Sequence, residues 1–294
     1  MITSPSNQHI ALLRSLHVAK GRRQEELFLL EGPHLIESAI AAGATPRLIV
    51  YDPESLGRTV AGRQLIGTIE GARQNGAEVY EATSTAIERA SETRTPQGVV
   101  AAVASADVAP ERVQARRRGR FRPVLLVLDA ISDPGNLGTI LRSALAADVD
   151  EAVLAPGCAD LLGPKVVRAG SGAHFHLPVR EAADWHAVSA VVNGAPQAQQ
   201  VLLAEADARQ SYDEFDLTQR TALIIGNEAH GPSSEGRRLA TATLRIPMWN
   251  KVESLNAAIA ASVILFEGAR QRREREVRTK AQRRETEQHE QEQQ

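Results

Sequence analysis

The chain has 294 residues, 43% of them apolar, and a formal charge of −2, the profile of a globular protein with room for two ordinary cores. No run approaches about 18 uninterrupted apolar residues, and the opening MITSPSNQHI lacks a basic segment followed by an apolar one, so neither a membrane span nor a secretory signal is expected. A single cysteine, Cys158, excludes an internal disulfide framework and fits a reducing, cytoplasmic setting, and the eight histidines show no Cys/His spacing that would close a metal site.

Taken in chain order, residues 8 to 19 place Ile10, Leu13 and Leu16 at helical spacing. "LFLLEG" (27–32) reads as a short strand, and "PHLIESAIAAG" (33–43) as a helix with proline at its start and glycine past its end. "RLIVY" (47–51) is a second strand, followed by a helix near 60–75 and by the strands "AEVYE" (77–81) and "GVVAAVA" (98–104). This alternation describes a compact α/β domain over residues 1–106. Residues 107–122 hold Pro110 and read as a basic linker, with arginines 112, 116, 117, 118, 120 and 122 against one acid, Glu111, between 111 and 122. A second basic group, Lys20, Arg22 and Arg23, lies near the start. Such runs are either solvated faces or phosphate contacts.

A second α/β domain is expected over 123–272. Its strands are "VLLVLD" (124–129), "EAVLA" (151–155), "QVLLAEA" (200–206), "TALIIG" (221–226) and "LRIP" (244–247). They are near-continuous apolar runs, as parallel strands buried on both faces require. The last helix starts near Leu255, with Leu255, Ile259, Ser262, Val263 and Phe266 on one face. Residues 273–294 carry almost no apolar side chains and are expected to form a disordered or frayed helical tail.

Three turns stand out because polar groups recur in them between apolar runs. The first, "DPGNLGTILRSA" (133–144), breaks a buried strand and restarts as a helix, with Asn136 as the expected N-cap and Arg142 as a lone cation. Gly135 and Gly138 there allow a ligand or another backbone to come close. The second is "IIGNEAHG" (224–231), with Gly226 directly after its strand and Glu228 in the loop. The third is "IPMWNKVESLNAAIA" (246–260), with Ser254 and Asn256 at a helix start. Ligands of open α/β sheets gather beyond the carboxyl ends of the strands, so one site assembled from three turns is expected. The glycine pattern is not the G-x-G-x-x-G of dinucleotide enzymes, which removes a dehydrogenase reading.

In order and spacing these three segments resemble the signature motifs of the SpoU (TrmH-like) branch of the SPOUT RNA methyltransferases, and "LGPKVVRAGSGAHFHLPV" (162–179) resembles the segment that follows the first of them. "LFLLEGPHLIESAI" and "TRTPQGVVAAV" resemble the L30e-like RNA-binding domain that precedes the catalytic domain in many members. The resemblance implies an N-terminal L30e-like α/β/α domain and a C-terminal SPOUT α/β domain with a mostly parallel sheet and a trefoil knot. It also implies S-adenosylmethionine as donor, a ribose 2′-hydroxyl of RNA as acceptor, and a homodimer. Ribosomal RNA of the 23S type is the expected substrate. Transfer RNA, or a non-catalytic RNA-binding or ribosome-assembly role, are the alternatives. Asn250 stands where relatives usually have glycine, a position it tolerates if the backbone is left-handed.

Residue roles follow from the same resemblance. Gly226, Ile246 and Leu255 are expected to hold the adenosine part of the donor. Arg142 is expected to act at the ribose hydroxyl. A guanidinium is a poor base, so a phosphate contact and electrostatic stabilisation of the developing alkoxide suit it better. Asn136 either orients Arg142 or caps its helix. Glu228 either accepts from a hydroxyl or pairs with Arg142. Ser254 and Asn256 either bond motif-one residues or a phosphate, or cap the last helix. Trp249 either stacks a base or is buried at a dimer contact. Cys158, His174 and His176 read as packing or surface residues. Arg22, Arg23, Arg116, Arg117 and Arg118 are the expected RNA phosphate contacts.

Overall fold

The computed structural model describes residues 1–117, 124–194, 198–228, 230–250 and 254–292. The chain runs α1 (Gln8–Ser15), α2 (Ala19–Glu25), β1 (Leu27–Glu31), α3 (Pro33–Ala41), β2 (Leu48–Tyr51), α4 (Pro53–Gly57), α5 (Val60–Gln74), β3 (Glu78–Glu81), α6 (Ser84–Ala90), β4 (Val99–Ala104) and α7 (Pro110–Arg116). It continues through β5 (Val124–Leu128), α8 (Pro134–Ala146), β6 (Glu151–Leu154), α9 (Pro164–Gly170), β7 (Val179–Glu181), α10 (Trp185–Val192) and β8 (Gln200–Ala204). β9 (Gln210–Ser211), β10 (Thr221–Ile225), α11 (Ser234–Leu239), β11 (Ala242–Arg245) and α12 (Ala257–Glu292) complete it.

Two compact units form. The first gathers Met1–Arg120, Ile131–Arg142 and Cys158–Arg180, and the second Phe121–Ala130, Ser143–Gly157 and Glu181–Gln294. In the first, a four-stranded sheet has the order β1-β4-β2-β3, with β4 antiparallel to both its neighbours and β3 parallel to β2. The period-two alternation of strands sorts its side chains into two cores. Phe28, Leu30, Ile49, Tyr51, Ala101 and Val103 meet Leu35, Ile36 and Ala39 of α3 and Leu65 and Ile69 of α5. Leu29, Val50, Val100 and Ala102 meet Ile10 and Leu13 of α1 and Ala86 and Ile87 of α6 on the other face. The result is an α/β/α layering.

Val167 of α9 and Phe175 join the first of these cores, the Phe175 ring lying 6.0 Å from that of Phe28. Segments 131–142 and 158–180 therefore pack with the N-terminal strands despite their place in the sequence.

In the second unit the seven-stranded sheet has the order β7-β6-β5-β10-β8-β11-β9 and is mostly parallel. Leu125, Val127, Val153, Val201, Leu203, Ala222 and Ile224 form one buried face with Val188 and Val192 of α10. All five residues of β5 and of β10 are buried, which explains their unbroken apolar character.

Several expectations change. The basic segment 107–122 is not a plain linker, because α7 starts at Pro110 and buries Val113 completely. Asp133, not Asn136, caps α8: its Oδ1 accepts from the backbone N–H of Asn136 at 2.8 Å. That bond, with Lys165 nearby, holds the Asp133 carboxyl below the usual carboxylate range. The last helix begins at Ala257 and continues to Glu292, so the charged tail is helical over most of its length. Its first part is tied down, since Gln271 accepts from the N–H of Leu217 and Arg272 donates to the carbonyl of Ala147 at 2.6 Å. Arg118, with arginines 120 and 122, lies outside the described residues.

Candidate active site

In the second unit the ends of β5 and β10 brace each other. Asp129, 1% exposed, accepts from the N–H of Ser233 at 2.6 Å, and its own N–H donates to the carbonyl of Ile225. Ala130 follows with φ +55°, a left-handed backbone that costs about 1 kcal/mol or more for a residue with a Cβ. The Asn227 amide donates to the Ala130 carbonyl at 2.8 Å and pins this strained turn. A side-chain amide of the second motif therefore fixes the exit of the strand that carries the first.

A cavity of about 250 Å³ opens beyond the carboxyl ends of β10, β8 and β11, neighbouring strands of the sheet. Gly226, Glu228, Ile246, Ser254 and Leu255, all singled out in the sequence, line it together. Ile225, Met248 and Ile264 add apolar surface. Asn256 stands just outside the lining and is tied to it, its amide donating to Glu228 at 3.4 Å. Glu228 also accepts from the N–H of Ala257, and Asn256 Oδ1 accepts from Ala258 at 2.9 Å, so both side chains satisfy the first turn of α12. Asn256, not Ser254, is the cap. Asn250 has φ +58°, the left-handed conformation expected where relatives place glycine.

Gly226 is required by its own loop. A Cβ there would lie 2.6 Å from the nitrogen of Pro232 and 3.0 Å from the carbonyl carbon of Gly231, both backbone. The turn folds back on itself, so the loop alone already demands the glycine. Gly138 in the first unit is alike: its missing Cβ admits the backbone of α9.

Sequence reasoning missed the turn after β8. Ala204, Glu205 and Asp207 form a wall of the cavity, and Arg237 of α11 pairs with Glu205 there. The signal was available, since "LLAEAD" ends a buried parallel strand in acidic residues, but it lacks the glycine that marked the other turns.

Asn136 and Arg142 belong to the first unit. Asn136 is half-buried in the first turn of α8, and Arg142 is exposed, its side chain having no hydrogen bond or ion pair among the described residues. Of the basic residues, Arg22 needs correction. It is 6% exposed, donating to the carbonyl of Leu16 at 2.6 Å and to Asp160 at 2.5 Å, so it is a buried structural cation and not a phosphate contact. Arg23 and Arg116 are exposed, and Arg117 is half-buried. His174 is buried with Nε2–H donating to the Leu161 carbonyl, and burial pushes its pKa down to about 4. His176 is lowered by burial first and by the charges of Arg116 and Arg117. Trp249 is 82% exposed. Among the described residues, no group of three or more His, Cys, Asp or Glu side chains is placed to hold a metal ion, and no helix is long and apolar enough to cross a membrane.

The comparisons with known proteins agree with this arrangement. Residues 123–266 match the SpoU rRNA Methylase family, and residues 7–101 match the MRM3-like substrate binding domain. The 23S rRNA (guanosine(2553)-2′-O)-methyltransferase RlmP of Bacillus subtilis is 30% identical over 278 residues, covering 90% of this chain and 97% of that protein. Human mitochondrial rRNA methyltransferase 3 is 31% identical over 86% of this chain and 70% of its own length. The crystal structure of the SpoU methyltransferase AviRb of Streptomyces viridochromogenes, in complex with the cofactor AdoMet, superposes with a TM-score of 0.75 at 29% identity, over 90% of this chain and 99% of that one. With residues 123–266 matching the family and 97% of the Bacillus subtilis relative covered at 30% identity, the chain belongs to the SpoU rRNA methylase family.

Proposed function

We propose that this protein transfers a methyl group from S-adenosylmethionine to a ribose 2′-hydroxyl of RNA, in 23S ribosomal RNA, and that it does so in the cytoplasm. One observation carries the reading: five residues assigned to the site from the second and third motifs, Gly226, Glu228, Ile246, Ser254 and Leu255, line a single cavity at the carboxyl ends of parallel strands. The residues suit the donor. Ile225, Ile246, Leu255 and Ile264 offer apolar surface for adenine, while Glu205, Asp207 and Glu228 offer acceptors for hydroxyl and ammonium groups. The volume lies near the lower end of ligand pockets, which run from about 300 Å³.

When bound, the donor supplies a methyl group activated by a positively charged sulfur. The protein's part is positioning and electrostatics. Arg142 binds the phosphate beside the target ribose and stabilises negative charge on the attacking oxygen as the hydroxyl proton leaves to solvent. Asn136, six residues earlier on α8, is the second polar group of the first motif assigned to this step. Glu228 and Asn256 hold the second and third motif loops to the start of α12. Arg23, Arg116, Arg117 and Arg118 contribute phosphate contacts from the RNA-binding part, taken as residues 1–106 with the following basic segment, ahead of a catalytic domain over 123–272. Ile259 and Phe266 are 54% and 50% exposed, seven residues apart on α12, with Val263 half-buried between them, and this stripe supports the homodimer. The trefoil knot belongs to the same reading.

Mapping of ribose methylation in ribosomal and transfer RNA, from cells with and without the protein, tests the function. A 23S site lost with the protein is the expected result. Loss of a transfer RNA site would replace the substrate, and no lost site together with no calorimetric binding of S-adenosylmethionine would overturn the reading. Arg142→Lys should lower turnover by at least about tenfold, since it removes the bidentate fork while keeping the charge; turnover near wild type would refute the role given to Arg142.

A further inference from the structure

The cavity lining divides by chemistry. Its larger apolar residues, Ile225, Leu244, Ile246, Met248, Leu255 and Ile264, come from the end of β10, from β11 and the loop after it, and from α12, whereas Glu205 and Asp207 follow β8 and Arg237 comes from α11. We propose that Arg237, held in place by Glu205, receives the carboxylate at the amino-acid end of the methyl donor, and so selects it against adenosine thioethers that lack that end. The inference rests on the methyl-donor reading above.

Three observations carry it. The Glu205 side chain is only 11% exposed, and a carboxylate so placed needs a partner, which the Nη1 of Arg237 provides. The buried acid thus fixes the guanidinium, which is itself 51% exposed. Second, Nη2 lies 3.7 Å from the point where a Cβ on Gly231 would stand, so the guanidinium is laid beside the glycine backbone of the second motif's turn. Third, Glu205 is the one side chain that holds Arg237 among the described residues, which leaves the remaining N–H donors of its planar fork available. A planar donor pair held in place matches a carboxylate in two-point geometry, and little ordering is needed when one arrives. Arg245, the other cation of the lining, has no ion pair among the described residues and lacks this preorganisation.

Glu205 is a positioning residue here. Its replacement should act on discrimination between ligands and not on binding of the adenosine part.

The test is calorimetric titration of the full-length protein with S-adenosylmethionine, S-adenosylhomocysteine and 5′-methylthioadenosine, the last of which has no amino-acid end. Circular dichroism establishes that each variant is folded. Arg237→Ala should weaken both amino-acid-bearing ligands by about tenfold to a hundredfold while moving 5′-methylthioadenosine by no more than about twofold. Glu205→Gln should shift the same ratio in the same direction by less, and Arg237→Lys should keep part of the selectivity. Arg245→Ala should leave the ratio unchanged. Equal weakening of all three ligands by Arg237→Ala, no weakening of any, or a selective loss in Arg245→Ala instead would overturn the assignment while the methyl-donor reading stands. Failure of the unaltered protein to bind any of the three would remove that reading, and this one with it.

Discussion

Gly138→Ala sets two measurable effects against each other. The residue lies in the second turn of α8, where alanine in place of glycine favours a helix by about 1 kcal/mol. The new Cβ, however, would stand 2.5 Å from the carbonyl oxygen of Val166, 2.6 Å from the Cβ of Ala169 and 2.8 Å from the nitrogen of Gly170. Ordinary contact begins near 3.4 Å, so α9 must retreat by most of an ångström. Two of those three atoms are backbone in a helix whose Val166 is fully buried, and they move only if the helix moves. Overpacking of this kind costs about 1–3 kcal/mol, with rigid backbone at the upper end, so a net loss of about 2 kcal/mol is expected. Gly71→Ala in α5 is the internal control. Nothing lies within 4 Å of its Cβ position, and it should gain about 0.5–1 kcal/mol. Urea denaturation followed by far-ultraviolet circular dichroism measures both. Should Gly138→Ala match or exceed the unaltered protein while Gly71→Ala gains as expected, the packing of α9 on α8 described here is wrong.

Two further outcomes follow from burial. Arg22→Ala should cost about 2 kcal/mol, less than a fully buried pair would because the partner Asp160 side chain is 45% exposed and regains water. It should leave RNA affinity of the folded protein unchanged, whereas Arg23→Ala should reverse the pattern, lowering affinity and its salt dependence with stability within about 0.5 kcal/mol; weakened RNA binding by Arg22→Ala at full stability would contradict this. For His174 the sign is set by a folded pKa of about 4 against an ordinary 6.5, so the unfolded chain takes up a proton before the fold does. Its contribution is fully present above pH 6.5 and is lost as pH falls toward 4, at a slope approaching about 1.4 kcal/mol per unit. His174→Leu should flatten the decline in urea stability between pH 6.5 and 4.5, and an undiminished decline in that variant would assign it to other groups.

Much of the site was legible because its turns interrupt buried strands. The unbroken apolar run of β10 ends abruptly in Gly-Asn-Glu, and the positions after β10 and β11 do share one cavity. The wall after β8 was only weakly legible: its turn ends a buried strand but carries no glycine, and Glu205 and Asp207 look like ordinary solvated acids until their strand is placed between β10 and β11. Arg22 misled for the opposite reason. A basic cluster predicts exposure, yet the acid that buries this arginine lies 138 residues away. Asn136 precedes the apolar periodicity and so reads as a cap, but helix geometry starts at Pro134 and places the capping oxygen on Asp133.

The order of amino acids alone decided where strands and helices alternate, which strands are buried on both faces, and which loops hold polar groups that packing does not demand. These are local properties, written in hydrophobic period and turn chemistry within a dozen residues. Tertiary structure decided strand order, the partner of each buried charge, and the reason Gly138 lacks a side chain, namely the backbone of α9 occupying the space. It also placed Phe175 and Val167 in the core of the N-terminal strands. Such facts depend on contacts between residues far apart in the chain, whose free energy is set by shape and burial in three dimensions and leaves no periodic trace in one.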